Sequence, residues 1–229
     1  RMARRHEDNT GRPARMTSRF LILGAGYSAR AFAAARPDPA IVISGTTRSV
    51  QKFGALKQIS VRPLLFDASV VSPELAHELE QATHLIVSIA PDDTGDPVLR
   101  VLDAALRRKQ RLRWIGYLST VGVYGNHDGG WVDETAECRP ASRRSVLRVE
   151  AEREWLALGE TTGLPVAILR LSGIYGPGRN AFVNLKNGTA KRLIKPGQVF
   201  NRIHAEDIAG TLWHLSANDL GGIFNVTDD

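Results

Sequence analysis

The fold is decided by the stretch Phe20-Leu21-Ile22-Leu23-Gly24-Ala25-Gly26-Tyr27-Ser28-Ala29. An apolar run, a G-x-G-x-x-A turn and an alanine-rich helical segment, in this order, predict the first βαβ unit of a dinucleotide-binding sheet. Gly24 permits the tight turn, and Gly26 lets the backbone approach a pyrophosphate that a side chain would block. Ala29 is small enough for the helix to pack on the strand. The alternative is a tight strand-to-helix turn without a ligand.

The first turn of the predicted helix adds two positions to this candidate site. Amides at the start of a helix attract phosphates, because the positive end of the helix dipole favours negative charge. Tyr27 and Ser28 occupy those positions. We therefore expect Gly24, Gly26, Tyr27, Ser28 and Ala29 to bind a dinucleotide cofactor.

The composition indicates a single domain of ordinary size. Of the 229 residues, 43% are hydrophobic and 24% are charged, which is enough for a sizeable core. The apolar runs are too short to span a membrane. The single cysteine, Cys138, excludes an internal disulfide and favours a reducing compartment. We therefore expect a cytoplasmic protein without a membrane partner and without a metal site built on cysteines.

The net charge of +6 is concentrated at the start of the chain. Residues 1–15 carry five arginines against one glutamate and one aspartate, so half of the net charge lies there. This distribution predicts a disordered basic tail over residues 1–16, followed by one domain over residues 17–229. It also disfavours nucleic-acid binding, which would rest on that tail alone.

Apolar runs alternate with helical patterns along most of the chain. Strands are predicted at residues 19–23, 41–43, 61–66, 84–89, 113–118 and 166–171. Helices are predicted between them at residues 27–36, 50–59, 96–108 and 142–158, with another that opens at Ser72. This alternation predicts a doubly wound parallel sheet, a Rossmann-type α/β fold.

The pattern changes after residue 171. A glycine-rich loop over residues 173–178 precedes a helix from about residue 181, and residues 203–217 contain a strand end and another helix. A last strand is predicted at residues 222–226, directly before the end of the chain. We expect an incomplete end here, because a terminal strand without a following helix leaves one face of the sheet uncovered.

The end of the second strand indicates which cofactor is bound. NAD enzymes usually place an acid there to bind the ribose hydroxyls. This segment contains no acid and reads Ser44-Gly45-Thr46-Thr47-Arg48. Arg48 and Thr47 suit a 2′-phosphate through charge-assisted hydrogen bonds, which favours NADP over NAD; the alternative is a solvated arginine that opens the next helix. Asp67, after the third strand, suits the adenine amino group or a helix cap.

Three later motifs follow the glycine turn in a fixed order. They are S-T-x-x-V-Y-G from Ser119, L-R-x-x-x-I-Y-G-P-G-R from Leu169 and I-H-x-x-D-I-A from Ile203. With the glycine turn, they resemble the extended branch of the short-chain dehydrogenase/reductase superfamily, the nucleoside-diphosphate-sugar epimerase and dehydratase group. The resemblance extends from about residue 20 to residue 229.

This resemblance implies a Rossmann domain that binds NAD(P), with a small C-terminal substrate lobe after about residue 173. It implies that Thr120 hydrogen-bonds the reacting hydroxyl or carbonyl group, and that Ala90 and Pro91 line the nicotinamide ribose. It also suggests a homodimer formed by the long helices.

One departure from the family concerns the catalytic pair. The family uses Tyr-x-x-x-Lys on the helix after strand five, where the lysine lowers the tyrosine pKa so that the phenolate acts as a base. No tyrosine of this chain has a lysine four residues later. The best match places Arg144 at the tyrosine and Arg148 at the lysine. Arginine stays protonated and cannot be the base, so Arg148 either holds the ribose or belongs to a solvated helix face.

A second departure concerns anion binding. Family members often carry an arginine four residues before the histidine of I-H, where this chain has Phe200. Arg179 and Arg202 remain candidates to bind an anionic substrate. Tyr124 is a candidate replacement acid, with a packed aromatic beneath the loop as the alternative, and His204 is expected to cap or pack at the start of a helix.

Two functions are compatible with these residues. The first is an NAD(P)-dependent oxidoreductase or epimerase with a non-standard active site, in which Thr120 and Tyr124 act on a sugar-like or anionic small molecule. The second is a non-catalytic NADP-binding redox sensor or assembly factor. The motifs after strands five and six favour the first function, and the missing Tyr-x-x-x-Lys pair favours the second.

Overall fold

A computed structural model describes residues 17–108, 111–192, 194 and 199–228. The predicted basic tail, residues 1–16, lies outside the described residues. The strands are β1 Arg19–Leu23, β2 Val42–Thr47, β3 Arg62–Leu65, β4 His84–Val87, β5 Trp114–Thr120, β6 Val166–Leu171, β7 Gly173–Tyr175, β8 Arg202–His204 and β9 Gly222–Val226. The helices are α1 Tyr27–Ala34, α2 Phe53–Gln58, α3 Pro73–Gln81, α4 Pro97–Leu106, α5 Arg143–Thr162, α6 Ala181–Lys186 and α7 Ala205–Ala217.

Seven of these strands form one sheet in the order β3-β2-β1-β4-β5-β6-β9, and every pair in it is parallel. The predicted Rossmann-type fold is therefore confirmed. The chain crosses from β3 back to β4, which lies beside β1, so the strand order reverses between β1 and β4. In open α/β sheets, ligands bind outside the carboxyl ends of the strands at such a reversal. We call this end of the sheet the carboxyl edge.

Two apolar clusters cover the two faces of the sheet. On one face, α1, α2 and α7 contribute buried side chains that include Phe32, Leu56 and Leu212. On the other face, α3, α4 and α5 contribute buried side chains that include Leu102 and Trp155. Burial of both faces explains why the strands read as near-continuous apolar runs. No helix in the described part of the chain is both long and apolar enough to cross a membrane.

Local differences from the predicted elements follow from tertiary contacts. The predicted helix over residues 50–59 begins with a 3-10 turn, Val50–Lys52, before α2. The second strand continues to Thr47, four residues beyond its predicted apolar core at residues 41–43, because it pairs with both β1 and β3. Part of the predicted loop after residue 171 is a short strand, β7, which pairs with β8.

Candidate cofactor and substrate site

The glycine turn is held at the carboxyl edge by the two strands that flank β1. The backbone amide of Gly24 donates to Thr46 Oγ1 at 2.8 Å, and the amide of Ala25 donates to the Thr46 carbonyl at 2.8 Å. Gly24 has φ +91°, and a Cβ there would lie 2.9 Å from Ile89 Cγ1, so only glycine fits. Thr46 is fully buried, and sequence analysis did not single out its role.

The space above Gly26 is open. A Cβ added to Gly26 would meet only the Gly24 carbonyl oxygen, at 3.9 Å, and φ is −85°. The protein itself therefore does not require glycine at this position, whereas close approach of a phosphate to the backbone does. No side chain caps α1, so its first amides suit a pyrophosphate. The side chains of Ser28 and Ala29 are buried, which leaves their backbone to face the edge.

The ends of β2 and β3 carry the residues predicted to select the cofactor. Arg48 is exposed and forms no ion pair within the part of the chain described by the structure. Thr47 is nearly buried, and its Oγ1 accepts from the Ser49 amide at 3.3 Å. Asp67 is exposed and accepts hydrogen bonds from the Ser69 amide and hydroxyl, which lower the pKa of its carboxyl group. Of these three side chains, Arg48 is therefore the most accessible to a ligand.

The segment after β4 lies directly beside the glycine turn. The Ser88 amide donates to the Leu23 carbonyl at 2.9 Å, and Ile89 packs on Gly24. Ala90 is exposed and Pro91 is half-buried. This arrangement brings the predicted nicotinamide-ribose residues and the predicted pyrophosphate turn to opposite sides of the β1–β4 reversal.

The hydroxyl groups of Thr120 and Ser145 both lie close to Gly122, just after the end of β5. Thr120 is half-buried, and its Oγ1 accepts from the Gly122 amide at 3.1 Å. A Cβ placed on Gly122 would lie 3.4 Å from both Thr120 Oγ1 and Ser145 Oγ. Ser145 belongs to the first turn of α5, and sequence analysis did not select it. Its hydroxyl also lies 3.0 Å from Ser142 Oγ, the residue that caps α5.

Arg148 is turned toward β5. Its Nη1 donates to Tyr117 Oη at 3.0 Å and to the Leu118 carbonyl at 2.8 Å. Tyr117 is fully buried, and burial raises the pKa of its phenol above the usual range, so this tyrosine is not a base at neutral pH. Arg144 lies one helical turn before Arg148, on the same face of α5, and its side chain is exposed.

The family model for the NAD dependent epimerase/dehydratase family matches residues 92–227. This match covers more than half of the chain. The chain belongs to the NAD-dependent epimerase/dehydratase family.

Relatives of this family member differ in how much of their length they share with it. Protein YeeZ of Escherichia coli (strain K12) is 32% identical over 130 residues, which are 56% of this chain and 44% of YeeZ. A functionally unknown conserved protein from Silicibacter pomeroyi DSS is 45% identical, with a TM-score of 0.83 over 93% of this chain and 73% of that chain. The chain thus spans less than half the length of the curated relative that it matches.

More distant solved structures share the fold. UDP-glucuronic acid 4-epimerase from Bacillus cereus, in complex with UDP-glucuronic acid and NAD, has a TM-score of 0.75 at 20% identity, over 92% of this chain and 78% of that chain. The dTDP-glucose 4,6-dehydratase of Bacillus anthracis, in complex with NAD, has a TM-score of 0.76 at 18% identity, over 92% and 76%. The family is NAD-dependent, and these structural neighbours bind NAD.

Tyr124 of this family member lies in a buried polar network. Only 2% of its surface is exposed, and its hydroxyl donates to Asn225 Oδ1 at 2.7 Å while accepting from Arg170 Nη1 at 2.8 Å. Arg170 in turn forms an ion pair with Glu152 at 2.8 Å. These partners match the alternative packed role of Tyr124, and its role as an acid stays a prediction.

The two candidate substrate-binding arginines lie on different supports. Arg179 is stacked over the Tyr27 ring, 5.6 Å from its centroid, and Tyr27 Oη donates to the Pro177 carbonyl at 3.0 Å. Arg202 is stacked over the Phe200 ring at 5.2 Å. Arg179 therefore lies beside the glycine turn, whereas Arg202 is the first residue of β8, and no ion pair or hydrogen bond among the described residues joins the two.

Two other predictions concern a histidine and a metal. His204 caps α7, because its Nδ1 accepts from the Glu206 amide at 3.3 Å. Within the described ranges, no group of three or more His, Cys, Asp or Glu side chains is placed to hold a metal ion.

Proposed function

We propose that this chain binds NADP or NAD along the carboxyl edge and acts as an oxidoreductase or epimerase on a sugar-like or anionic small molecule. The observation that carries the proposal is the open space above Gly26, on a turn held by Thr46 and Ile89. A nicotinamide cofactor, when bound, supplies a hydride acceptor or donor. The chain's own residues bind it, orient the substrate and hold the proton that moves with the hydride.

The preference for NADP rests on the end of β2. Arg48 is exposed, free of ion pairs among the described residues and next in sequence to Thr47, whose side chain is nearly buried. A guanidinium group binds a phosphate through paired, charge-assisted hydrogen bonds, whereas it gains little from the two neutral ribose hydroxyls of NAD.

Arg48→Ala tests this preference. We expect the Kd of NADPH to rise about tenfold, and the Kd of NADH to change by less than about twofold, because only NADPH loses a phosphate contact. Cofactor fluorescence titration measures both constants. Arg30→Ala is the matched control, since Arg30 is an exposed arginine on α1 and its loss changes the net charge equally. Equal weakening of both cofactors by Arg48→Ala would contradict the preference for NADP.

At the reacting end, Thr120 and Ser145 are the hydroxyl groups available to a substrate. Thr120 Oγ1 already accepts one hydrogen bond, from the Gly122 amide. Its proton is therefore free to be donated to a substrate carbonyl, and its second lone pair is free to accept from a substrate hydroxyl. Arg148 uses only Nη1 for its bonds to β5. Its second terminal nitrogen is suited to the cofactor ribose.

The positive charges around this edge favour a substrate with an anionic group. Arg144 stands where the family carries its tyrosine, one residue before Ser145, and it is exposed. Arg179 lies beside the cofactor turn, and Arg202 lies on β8. A permanently charged guanidinium group cannot move a proton, but it attracts a carboxylate or phosphate.

Turnover is tested with cofactor and a panel of matched substrates. Each sugar or small hydroxy compound is offered as a neutral form and as a carboxylate or phosphate, and NADPH absorbance and product isomers are followed. We expect hydride exchange between the cofactor and the anionic members of the panel. We expect Thr120→Ala to lose this exchange. Tight cofactor binding without exchange across the whole panel would overturn the enzymatic part of the proposal. Failure to bind either cofactor would overturn all of it.

The proposal also includes a homodimer through the long helices and a cytoplasmic location. A single cysteine, Cys138, is consistent with a reducing compartment. Light scattering coupled to size-exclusion chromatography tests the dimer, because a mass near 25 kDa would mean a monomer.

A further inference from the structure

An apolar cavity lies between α3 and α4, on the face of the sheet that these helices cover. Its volume is about 310 Å³, which is within the range of small-molecule sites. Four side chains that line it border the core of this face but are only partly buried: Val71, Leu79, Val101 and Leu112. The packing of the two helices therefore leaves a space with apolar walls.

Small side chains on both helices create this space. Ala76 of α3 and Ala104 and Ala105 of α4 line it, and their methyl groups are too short to fill it. The lining extends from Val71, which precedes α3, to Leu112, which precedes β5. A helix of nine residues such as α3 extends about 13 Å. The cavity therefore suits an elongated apolar group such as an alkyl chain.

Two arginines without ion pairs stand at the rim of this cavity. Arg108 and Arg111 both line it and are exposed, and neither forms an ion pair with any other described residue. Arg108 donates from its Nε to the Ala104 carbonyl at 3.3 Å, a bond that does not involve its two terminal nitrogens. Glu80 is the single acid of the lining, so the rim has a net positive charge. A guanidinium group binds a carboxylate through paired, charge-assisted hydrogen bonds.

This cavity is separate from the proposed cofactor and substrate site. Arg108 and Arg111 belong to the segment between α4 and β5, which enters the sheet at the amino end of β5, opposite the carboxyl edge. None of the residues that line the cavity is a candidate cofactor or substrate residue. The arginine-rich residues 1–16 do not match the charge of its rim, because like charges repel.

We propose that this cavity binds a medium-chain carboxylate, with the alkyl chain between α3 and α4 and the carboxylate between Arg108 and Arg111. The chain would remove the partly buried apolar walls from water, and the carboxylate would pair with the two guanidinium groups. A neutral chain makes only the first of these contacts, and a short carboxylate makes only the second.

Calorimetric titration of the full chain with decanoate, decanol and acetate separates the two contributions. We expect saturable binding of one decanoate per chain, with a Kd at least about tenfold below that of decanol, because only decanoate pairs with the arginines. Acetate should not bind measurably. Equal affinity for decanoate and decanol, or no binding of decanoate, would overturn the proposal.

Arginine variants test the rim. Arg108→Gln and Arg111→Gln should each raise the Kd of decanoate about three- to tenfold and leave decanol unchanged. Arg107→Gln is the matched control, because Arg107 is exposed but pairs with Asp103 at 2.7 Å and does not line the cavity. Equal weakening by all three variants would mean that decanoate responds only to the general positive charge of this segment, and the assigned rim would be wrong.

Ala105→Phe tests the chain-binding part, because its ring would occupy the cavity. We expect the Kd of decanoate to rise at least about tenfold in a variant whose Tm shows that it is folded, and unchanged binding would place the alkyl chain elsewhere. If this variant does not fold, the arginine variants decide. Flotation with phosphatidylglycerol vesicles tests the other source of an anionic head group. Binding to vesicles without binding of free decanoate would assign the rim to a membrane surface and overturn the proposal.

Discussion

The two halves of the carboxyl edge differ in what their polar side chains already contact. In the half formed by β1 and β2, the space above Gly26 is open and Arg48 is free of ion pairs among the described residues. In the half formed by β5 and β6, Arg148 is bonded to β5 and Tyr124 is bonded to Arg170. The first half therefore leaves its backbone turn and its arginine uncovered, whereas the second half uses charged side chains for internal contacts.

The internal contacts of the second half follow one face of α5. Arg148 and Glu152 are four residues apart and both face β5. Glu152 accepts from the buried hydroxyl of Ser119 and pairs with Arg170, which reaches Tyr124. A charged stripe on this helix thus holds the helix against the sheet, and the exposed Arg144 lies on the same face.

Glu152→Ala should produce the largest change in this half. Arg170 is 4% exposed, so loss of its carboxylate leaves a buried charge without a partner. Removal of one member of a buried ion pair costs about 3–5 kcal/mol of unfolding free energy. Urea denaturation measures the unfolding free energy. The control is Glu160→Ala, because Glu160 is an exposed glutamate of the same helix, and it should change the unfolding free energy by less than about 0.5 kcal/mol. A small loss in Glu152→Ala would mean that the network does not hold α5.

Gly26→Val should weaken cofactor binding in the first half without unfolding the protein. The added side chain has room in the protein, because the nearest atom to its Cβ is 3.9 Å away. It would occupy the space of a phosphate, so we expect the Kd of NADPH to rise at least about a hundredfold, or about 2.7 kcal/mol.

The control for Gly26→Val is the same change at Gly54 on α2, where no atom lies within 4 Å of an added Cβ. Gly54→Val should leave cofactor binding unchanged. Unchanged cofactor binding in Gly26→Val would show that the dinucleotide does not cross this turn, and the two halves would then not differ in the way described.

The glycine turn was predictable because its information is local. Strand, turn and helix lie within residues 20–29. The space at Gly24 is restricted by Ser88 and Ile89, which follow the neighbouring strand of the sheet. The strand pattern likewise predicted the parallel sheet. The role of Thr46 was less visible, because its hydroxyl acts on a residue more than twenty positions away.

The second half was predicted less completely because its side chains are placed by distant partners. The sequence suggested Arg148 at the family lysine, but only the structure shows that Tyr117 and Leu118 share its Nη1. Tyr124 meets Arg170 and Asn225 from two other strands. No spacing in the sequence predicts these contacts.

The smallest expected effect concerns the contact between the two halves. Tyr27 lies at the start of α1, and its hydroxyl donates to the Pro177 carbonyl of the loop after β7. Tyr27→Phe keeps the ring under Arg179 and removes only this hydrogen bond. A single exposed hydrogen bond contributes about 0.5–1 kcal/mol, so we expect the Kd of NADPH to rise about threefold or less.

Fluorescence titration of Tyr27→Phe and Tyr27→Ala separates two roles of this residue. If the tyrosine only fastens the loop, the phenylalanine variant should bind NADPH almost normally, and the alanine variant, which also loses the ring under Arg179, should bind it more weakly. If the hydroxyl itself contacts the cofactor, both variants should lose affinity equally and by more than tenfold. That second result would show that the Tyr27 hydroxyl, and not only the backbone at this position, contacts the cofactor.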